Sequence, residues 1–202
     1  MEKNVTICVQ GVRLEGRLNL NPDSKKGVVV THPHPLYGGN MDNPVVKQIV
    51  ASFYGAGFTT LRFNFRGTKG SSGMFDNGGG EQDDVRFALA FLNDHGISTP
   101  FLAGYSFGSW VNAHVVAKGV QIKDHIMVSP PVAFISFDTV KTLSNTGLII
   151  TGQGDDIAPP NQVRAVIQRW QINPQFSVLD RGDHFYSAHL KALGEVLTAY
   201  LA

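Results

Sequence analysis

Three short stretches of the chain carry side chains that together could cleave an acyl bond. AGYSFGSW (103–110) sets Ser106 between Gly104 and Gly108 at the spacing G-x-S-x-G. A serine hydroxyl is a weak nucleophile until a base takes its proton, and the base needs a carboxylate to orient it. DRGDHFYS (180–187) offers His184 as that base. TGQGDDIAPP (151–160) offers Asp155, with Asp156 beside it as a competitor. Taken singly, each has an ordinary reading: a serine capping a helix, a solvated Asp-Asp turn, a loop histidine with no role. Taken together, Ser106, Asp155 and His184 follow the chain order of one known triad architecture.

Attack on a carbonyl also creates an oxyanion, and two N–H donors are needed to hold it, each worth ~3 kcal/mol. The N–H of Phe107, directly after the serine, is one candidate. The other is sought in HPHPLYGG (32–39), where Pro33 and Pro35 have no N–H and His34, Leu36 and Tyr37 remain. A rival reading makes His32 and His34 metal ligands. No further His, Cys or carboxylate follows them at a ligand-like spacing, so no metal is expected. The glycines from Gly67 to Gly80, after Arg66, lack the G-x-x-x-x-G-K-[ST] order of a phosphate cradle and are expected to shape the rim beside the serine. Glu81, Asp83 and Asp84 read as first-turn helix acids rather than catalysts.

The elements that must position these residues alternate along the chain. Val5–Val9 and Val12–Leu18 read as strands joined at Gln10-Gly11, a hairpin. GVVVTH (27–32) is a continuous β-branched run, expected for a strand buried on both faces. Asn43-Pro44 then opens a helix with Val45, Val46, Ile49, Val50 and Phe53 on one side. Strands follow at 58–65, 99–104, 125–130, 147–152 and 176–180. Helices are expected at about 83–94, at 106–118 with Gly119 as its stop, around Val163–Trp170, and in a last segment carrying Leu193, Val196, Leu197, Tyr200 and Leu201. This alternation predicts a single α/β domain over 1–202, a mostly parallel sheet with helices on both faces and an antiparallel hairpin at its start. In such a sheet, sites form at the loops leaving the carboxyl ends of strands, where all four stretches fall.

Composition excludes several other classes. The chain has 202 residues, a formal net charge of +1 and no long run of one sign, so nothing attracts nucleic acid or an anionic membrane. MEKNVTICVQ lacks the basic start and apolar run of a signal peptide, no stretch approaches a membrane span, and the single cysteine, Cys8, fits a reducing compartment. The cytoplasm is the expected location.

HPHPLYGGNMDNPVV, LRFNFRGTKGSSG, GYSFGS, GQGDDIAP and GDHFY together resemble the α/β-hydrolase superfamily over essentially the whole chain. They are most similar to small bacterial hydrolases related to dienelactone hydrolases and serine esterases. The resemblance implies nucleophile Ser106, acid Asp155 and base His184. Its G-x-x-D-x-x-x-P pattern maps onto Gly152, Asp155 and Pro159 and so favours Asp155 over Asp156. It places Leu36 as the second oxyanion donor, although proline stands here where the family usually has glycine. It implies no cofactor and a small-molecule acyl substrate. Only about 17 residues separate Ser129 from Gly147, so a minimal lid or none is expected. Tyr37, Phe107, Trp110 and Phe134 are candidate walls of an open cleft. Carboxylesterase, thioesterase and peptidase activities all fit this triad, as does a non-catalytic binding protein on the same fold.

Overall fold

The computed structural model describes residues 2–9 and 11–202. Eight strands form one sheet in the order β1-β2-β4-β3-β5-β6-β7-β8. β1 (Lys3–Val9) and β2 (Val12–Asn19) pair antiparallel, and β2 pairs antiparallel with β4 (Thr59–Phe63). Gln10, half of the expected Gln10-Gly11 turn, lies outside the described residues. The other neighbours run parallel: β3 (Gly27–Thr31), β5 (Phe101–Tyr105), β6 (Asp124–Val128), β7 (Thr146–Gly152) and β8 (Gln175–Leu179).

The β-branched run of β3 is what a central strand requires. Val29 enters one apolar layer while Val28 and Val30 enter the other, and all three are fully buried. Helices α2 (Gly79–Asp94), α3 (Phe107–Ala117) and α4 (Pro160–Trp170) cover the Val29 face. Helices α1 (Pro44–Gly55) and α5 (Leu190–Leu201) cover the opposite face. α1 starts where its sequence says it should, with Pro44 at its first position and the Asn43 side chain accepting from the Val45 N–H at 2.9 Å.

α2 begins about four residues before the expected start. The cause is Glu81, whose buried carboxylate accepts from the Gly78 and Asp76 N–H groups at 2.7 and 2.9 Å and satisfies the donors of an earlier turn. Asp84 is likewise buried, gripping Arg66 through Nη2 at 2.7 Å, Nε at 3.0 Å and its backbone N–H at 2.9 Å. The segment between β6 and β7 contains turns and no helix. Phe137, Val140 and Leu143 tie it into the core, and Trp170 Nε1 donates to the Val140 carbonyl at 3.0 Å. There is no lid.

The chain steps from β3 to β4 on one side, then crosses back to set β5 on the other side of β3. The loops after β3 and β5 therefore diverge at their carboxyl ends, and a crevice opens between them.

Candidate active site

Ser106 is the single residue between β5 and α3, with φ 54° and ψ −121°. A non-glycine residue in that region costs ~1–3 kcal/mol and persists only where the surroundings enforce it. Here β5 and α3 are clamped together. A Cβ on Gly104 would lie 2.6 Å from the Ser109 nitrogen, and one on Gly108 would lie 2.7 Å from the Thr31 carbonyl oxygen. Both glycines serve close approach, letting the helix start against the sheet and thrust the serine outward.

His184, in the loop after β8, places Nε2 2.9 Å from Ser106 Oγ and Nδ1 2.9 Å from each oxygen of Asp155. Asp155, in the loop after β7, also accepts from the Ile157 and Ala158 N–H groups at 3.0 and 2.7 Å through Oδ1. Burial pushes its carboxyl up, but the bond and charge of His184, with further donors from Ser129 and Ala158, outweigh burial and hold it below the ordinary value. It is therefore ionised at neutral pH. Asp156 is exposed and takes no part.

The loop after β3 departs from expectation. Pro35–Tyr37 forms a 3-10 turn in which the Leu36 N–H donates to His34 Nδ1 at 3.3 Å and the Tyr37 N–H donates to the His34 carbonyl at 3.1 Å. Leu36 is 69% exposed and does not line the cleft. The N–H of Leu36, the expected oxyanion donor, is thus engaged by the preceding imidazole. His34 does line the cleft, and its backbone N–H, like that of Phe107, meets no protein acceptor among the described residues.

The cleft over Ser106 has a volume of about 480 Å³. Tyr37, Phe107 and Phe134 line it as expected, joined by Phe185, Ile135 and Ile157. Trp110 does not: its indole N–H donates to the Ser136 carbonyl and its ring fills the space against Gly78. The Arg66–Gly80 loop stays out of the cleft and supports it from beneath, Phe75 lying 5.0 Å from the His34 ring and 5.8 Å from Phe107. His32 holds Pro33 O through Nδ1 at 2.7 Å and accepts from the Phe65 N–H through Nε2 at 3.0 Å, leaving no lone pair for a metal.

Sequence reasoning passed over three residues around the triad. Tyr105, just before the serine, donates its hydroxyl to the His184 carbonyl at 2.9 Å and so ties the base to the nucleophile's strand. Ser129 and Tyr186 are fully buried, their hydroxyls 2.8 Å apart. Tyr186 was visible inside GDHFY, but nothing local marks a tyrosine as buried and bonded.

A mostly parallel sheet whose β5–α3 joint is a strained serine, with an imidazole and a carboxylate delivered from later strand ends, defines a lidless serine-hydrolase scaffold. No protein-family model matches the chain. It is similar to an α/β serine hydrolase homologue from Coxiella burnetii, with a TM-score of 0.92, 31% identity and coverage of 99% of this chain and 97% of the other. XC6422 from Xanthomonas campestris, described as an α/β serine hydrolase without lid, superposes with a TM-score of 0.91 at 29% identity, covering 99% of this chain and 93% of its own. The uncharacterized protein RP471 of Rickettsia prowazekii is 33% identical over 201 residues, 94% of this chain and 84% of that protein. The chain belongs to the α/β-hydrolase superfamily and is a hydrolase. Among the described residues, no helix is long and apolar enough to cross a membrane.

Proposed function

We propose that the protein is a carboxylesterase of small, uncharged substrates, working through Ser106, His184 and Asp155. The observation that carries this reading is one imidazole bridging a serine hydroxyl and a buried carboxylate, with all contacts at 2.9 Å. His184 Nε2 takes the Ser106 proton as Oγ attacks the carbonyl carbon, and Asp155 stabilises the resulting imidazolium. The Phe107 and His34 N–H groups donate to the oxyanion. The alcohol leaves with the proton from Nε2, forming the acyl-enzyme. Water then enters, gives a proton to Nε2 and attacks the acyl carbon. Oγ departs, regains the proton, and the acid is released.

The lining of the cleft supports the substrate class. It is dominated by Tyr37, Phe107, Phe134, Phe185, Ile135 and Ile157, and no lysine or arginine faces it to hold a carboxylate. Thioester and amide bonds would meet the same machinery; an amine is the poorest leaving group of the three, and a substrate panel separates ester from thioester. The proposed location is the cytoplasm, with no nucleic-acid or membrane partner.

A fluorophosphonate probe and a panel of p-nitrophenyl esters test the reading. Wild-type protein should label at Ser106 and hydrolyse short neutral esters, and Ser106→Ala should do neither. An unlabelled serine in a protein inert toward the whole ester and thioester panel would instead mark a binding protein on a hydrolase scaffold.

A further inference from the structure

Two non-glycine residues near the triad hold left-handed backbone: Ser129, just after β6, at φ 46°, and Tyr186, two residues after His184, at φ 53°. Such conformations are unfavourable for residues with a Cβ and need partners that enforce them. Their hydroxyls meet at 2.8 Å, and both residues are fully buried. Ser129 is further fixed by its N–H, which donates to the Ile150 carbonyl at 2.7 Å.

The direction of this hydrogen bond follows from counting donors. Among the described residues the Tyr186 hydroxyl has no other partner, so a bond donated by Ser129 would leave the phenol proton buried without an acceptor. The phenol therefore donates to Ser129 Oγ, and the Ser129 proton is free for another acceptor. The carboxylate of this buried cluster is Asp155: Ser129 is bonded through its N–H to Ile150, next to Thr151, whose hydroxyl lies 3.5 Å from Asp155 Oδ2, and the Ser129 side chain is among the groups that hold that carboxyl below its ordinary value. The carboxylate has need of it. Oδ1 has the Ile157 and Ala158 N–H groups, whereas Oδ2 has beside His184 only the Thr151 hydroxyl at 3.5 Å. That hydroxyl is already committed to the Ala158 carbonyl at 2.6 Å.

We propose that Tyr186 and Ser129 are positioning residues that hold the Asp155 carboxylate in register with His184, in the order Tyr186 hydroxyl to Ser129 hydroxyl to Asp155. The pair rests on the triad reading and extends it. It ties the loops after β6 and β8 to the acid after β7. The titratable groups facing Asp155 are His184, Tyr105 from the end of β5, and Tyr186. Burial raises both phenols well above their ordinary range, so they stay neutral donors.

The test compares Ser129→Ala, Tyr186→Phe and the double variant in the full-length protein. Carbon-13 NMR of the Asp155 carboxyl should show its titration moved to higher pH in Ser129→Ala and less so in Tyr186→Phe. An unmoved titration in both overturns the proposal. In p-nitrophenyl ester hydrolysis, Ser129→Ala should lose about tenfold in kcat with KM little changed, and Tyr186→Phe about threefold, in line with hydrogen bonds to a charged and to a neutral group. The double variant should be no slower than Ser129→Ala and should melt higher, because it removes the orphaned phenol; fully multiplicative losses overturn the pair. Should Ser129→Ala not fold, Ser129→Cys keeps only a weak donor at the same site and should move the carboxyl titration to higher pH by more than Tyr186→Phe does; a smaller shift than Tyr186→Phe overturns the proposed order. If wild-type protein neither labels nor hydrolyses, the hydrolase reading falls, while the carboxyl titration still decides the pair.

Discussion

The loops after β3 and β8 each bury an imidazole, yet only one of them is equipped to move a proton. His32 bonds to two backbone groups, the Pro33 carbonyl and the Phe65 N–H. Neither backbone partner can exchange a proton near neutral pH, and burial lowers the His32 pKa to about 4. His184 bonds instead to a carboxylate and a hydroxyl, one stabilising its cation and the other supplying the proton. Partners, rather than burial or residue type, separate a structural histidine from the proposed general base.

The strongest way to break this contrast is to exchange the two residues' fates. His184→Ala should lower kcat/KM by ~10⁴-fold or more while the protein stays folded. His32→Phe should leave kcat per folded molecule near wild type. A large kcat loss in His32→Phe, measured on the soluble folded fraction, would mean that the β3 loop carries chemistry of its own.

A second contrast lies within the β3 loop, between Leu36 and His34. His34 has φ −59°, already the value a proline ring imposes. His34→Pro therefore deletes the backbone N–H with little distortion, and His34→Ala deletes only the side chain. His34→Pro should lose ~10²-fold more in kcat than His34→Ala, the usual cost of one oxyanion donor. Equal losses in steady-state kinetics would assign the donor elsewhere.

His32 should reveal itself through stability. Replacing the ring by Phe orphans the Phe65 N–H and the Pro33 carbonyl, and should cost ~2–4 kcal/mol in denaturant melts. The pH dependence has a definite sign. An unfolded His takes up its proton near 6.5, and the folded His32 only at about 4. Between these values the unfolded state binds more protons, so stability falls as pH falls, by ~1.4 kcal/mol per pH unit. Buried His125, lowered to about 3, adds the same slope over the window from 6.5 to 3. His32→Phe should remove one of these two contributions and flatten the curve.

The sheet was legible because it rests on local signals, β-branched runs and helical spacing, and the serine between glycines and the aspartate and histidine just past strand ends are the side chains that the fold brings within hydrogen-bond distance. The donor proposed here to face Phe107 across the cleft was not legible. Leu36 and His34 differ by two positions, and the choice turns on a 3-10 turn that folds the Leu36 N–H onto His34 Nδ1. Trp110 was misread as a cleft wall because an aromatic on α3 can face either the cleft or the core, and only the void at Gly78 decides. Ser129 and Tyr186 were invisible for a related reason. Fifty-seven positions separate them, and their bond exists only once β6 and β8 lie on either side of β7.

The adjacent aspartates repeat the histidine contrast at its smallest scale. Asp155 accepts from two backbone N–H groups and from His184, whereas Asp156 is exposed and is assigned no acceptor or donor in the site. Ile157 and Ala158 turn their N–H groups back toward position 155, so the loop's own geometry selects one carboxylate and leaves the next in water. Asp156→Asn should therefore change kcat/KM less than twofold and stability by less than ~0.5 kcal/mol, the ordinary range for a surface position. Asp155→Asn is isosteric at its neighbour, yet it should disturb the same loop and lose ~10⁴-fold in kcat by presenting the wrong partner to Nδ1. If the two variants fell equally, the carboxylates would share the work, and position within the loop's hydrogen bonds would not be what distinguishes them.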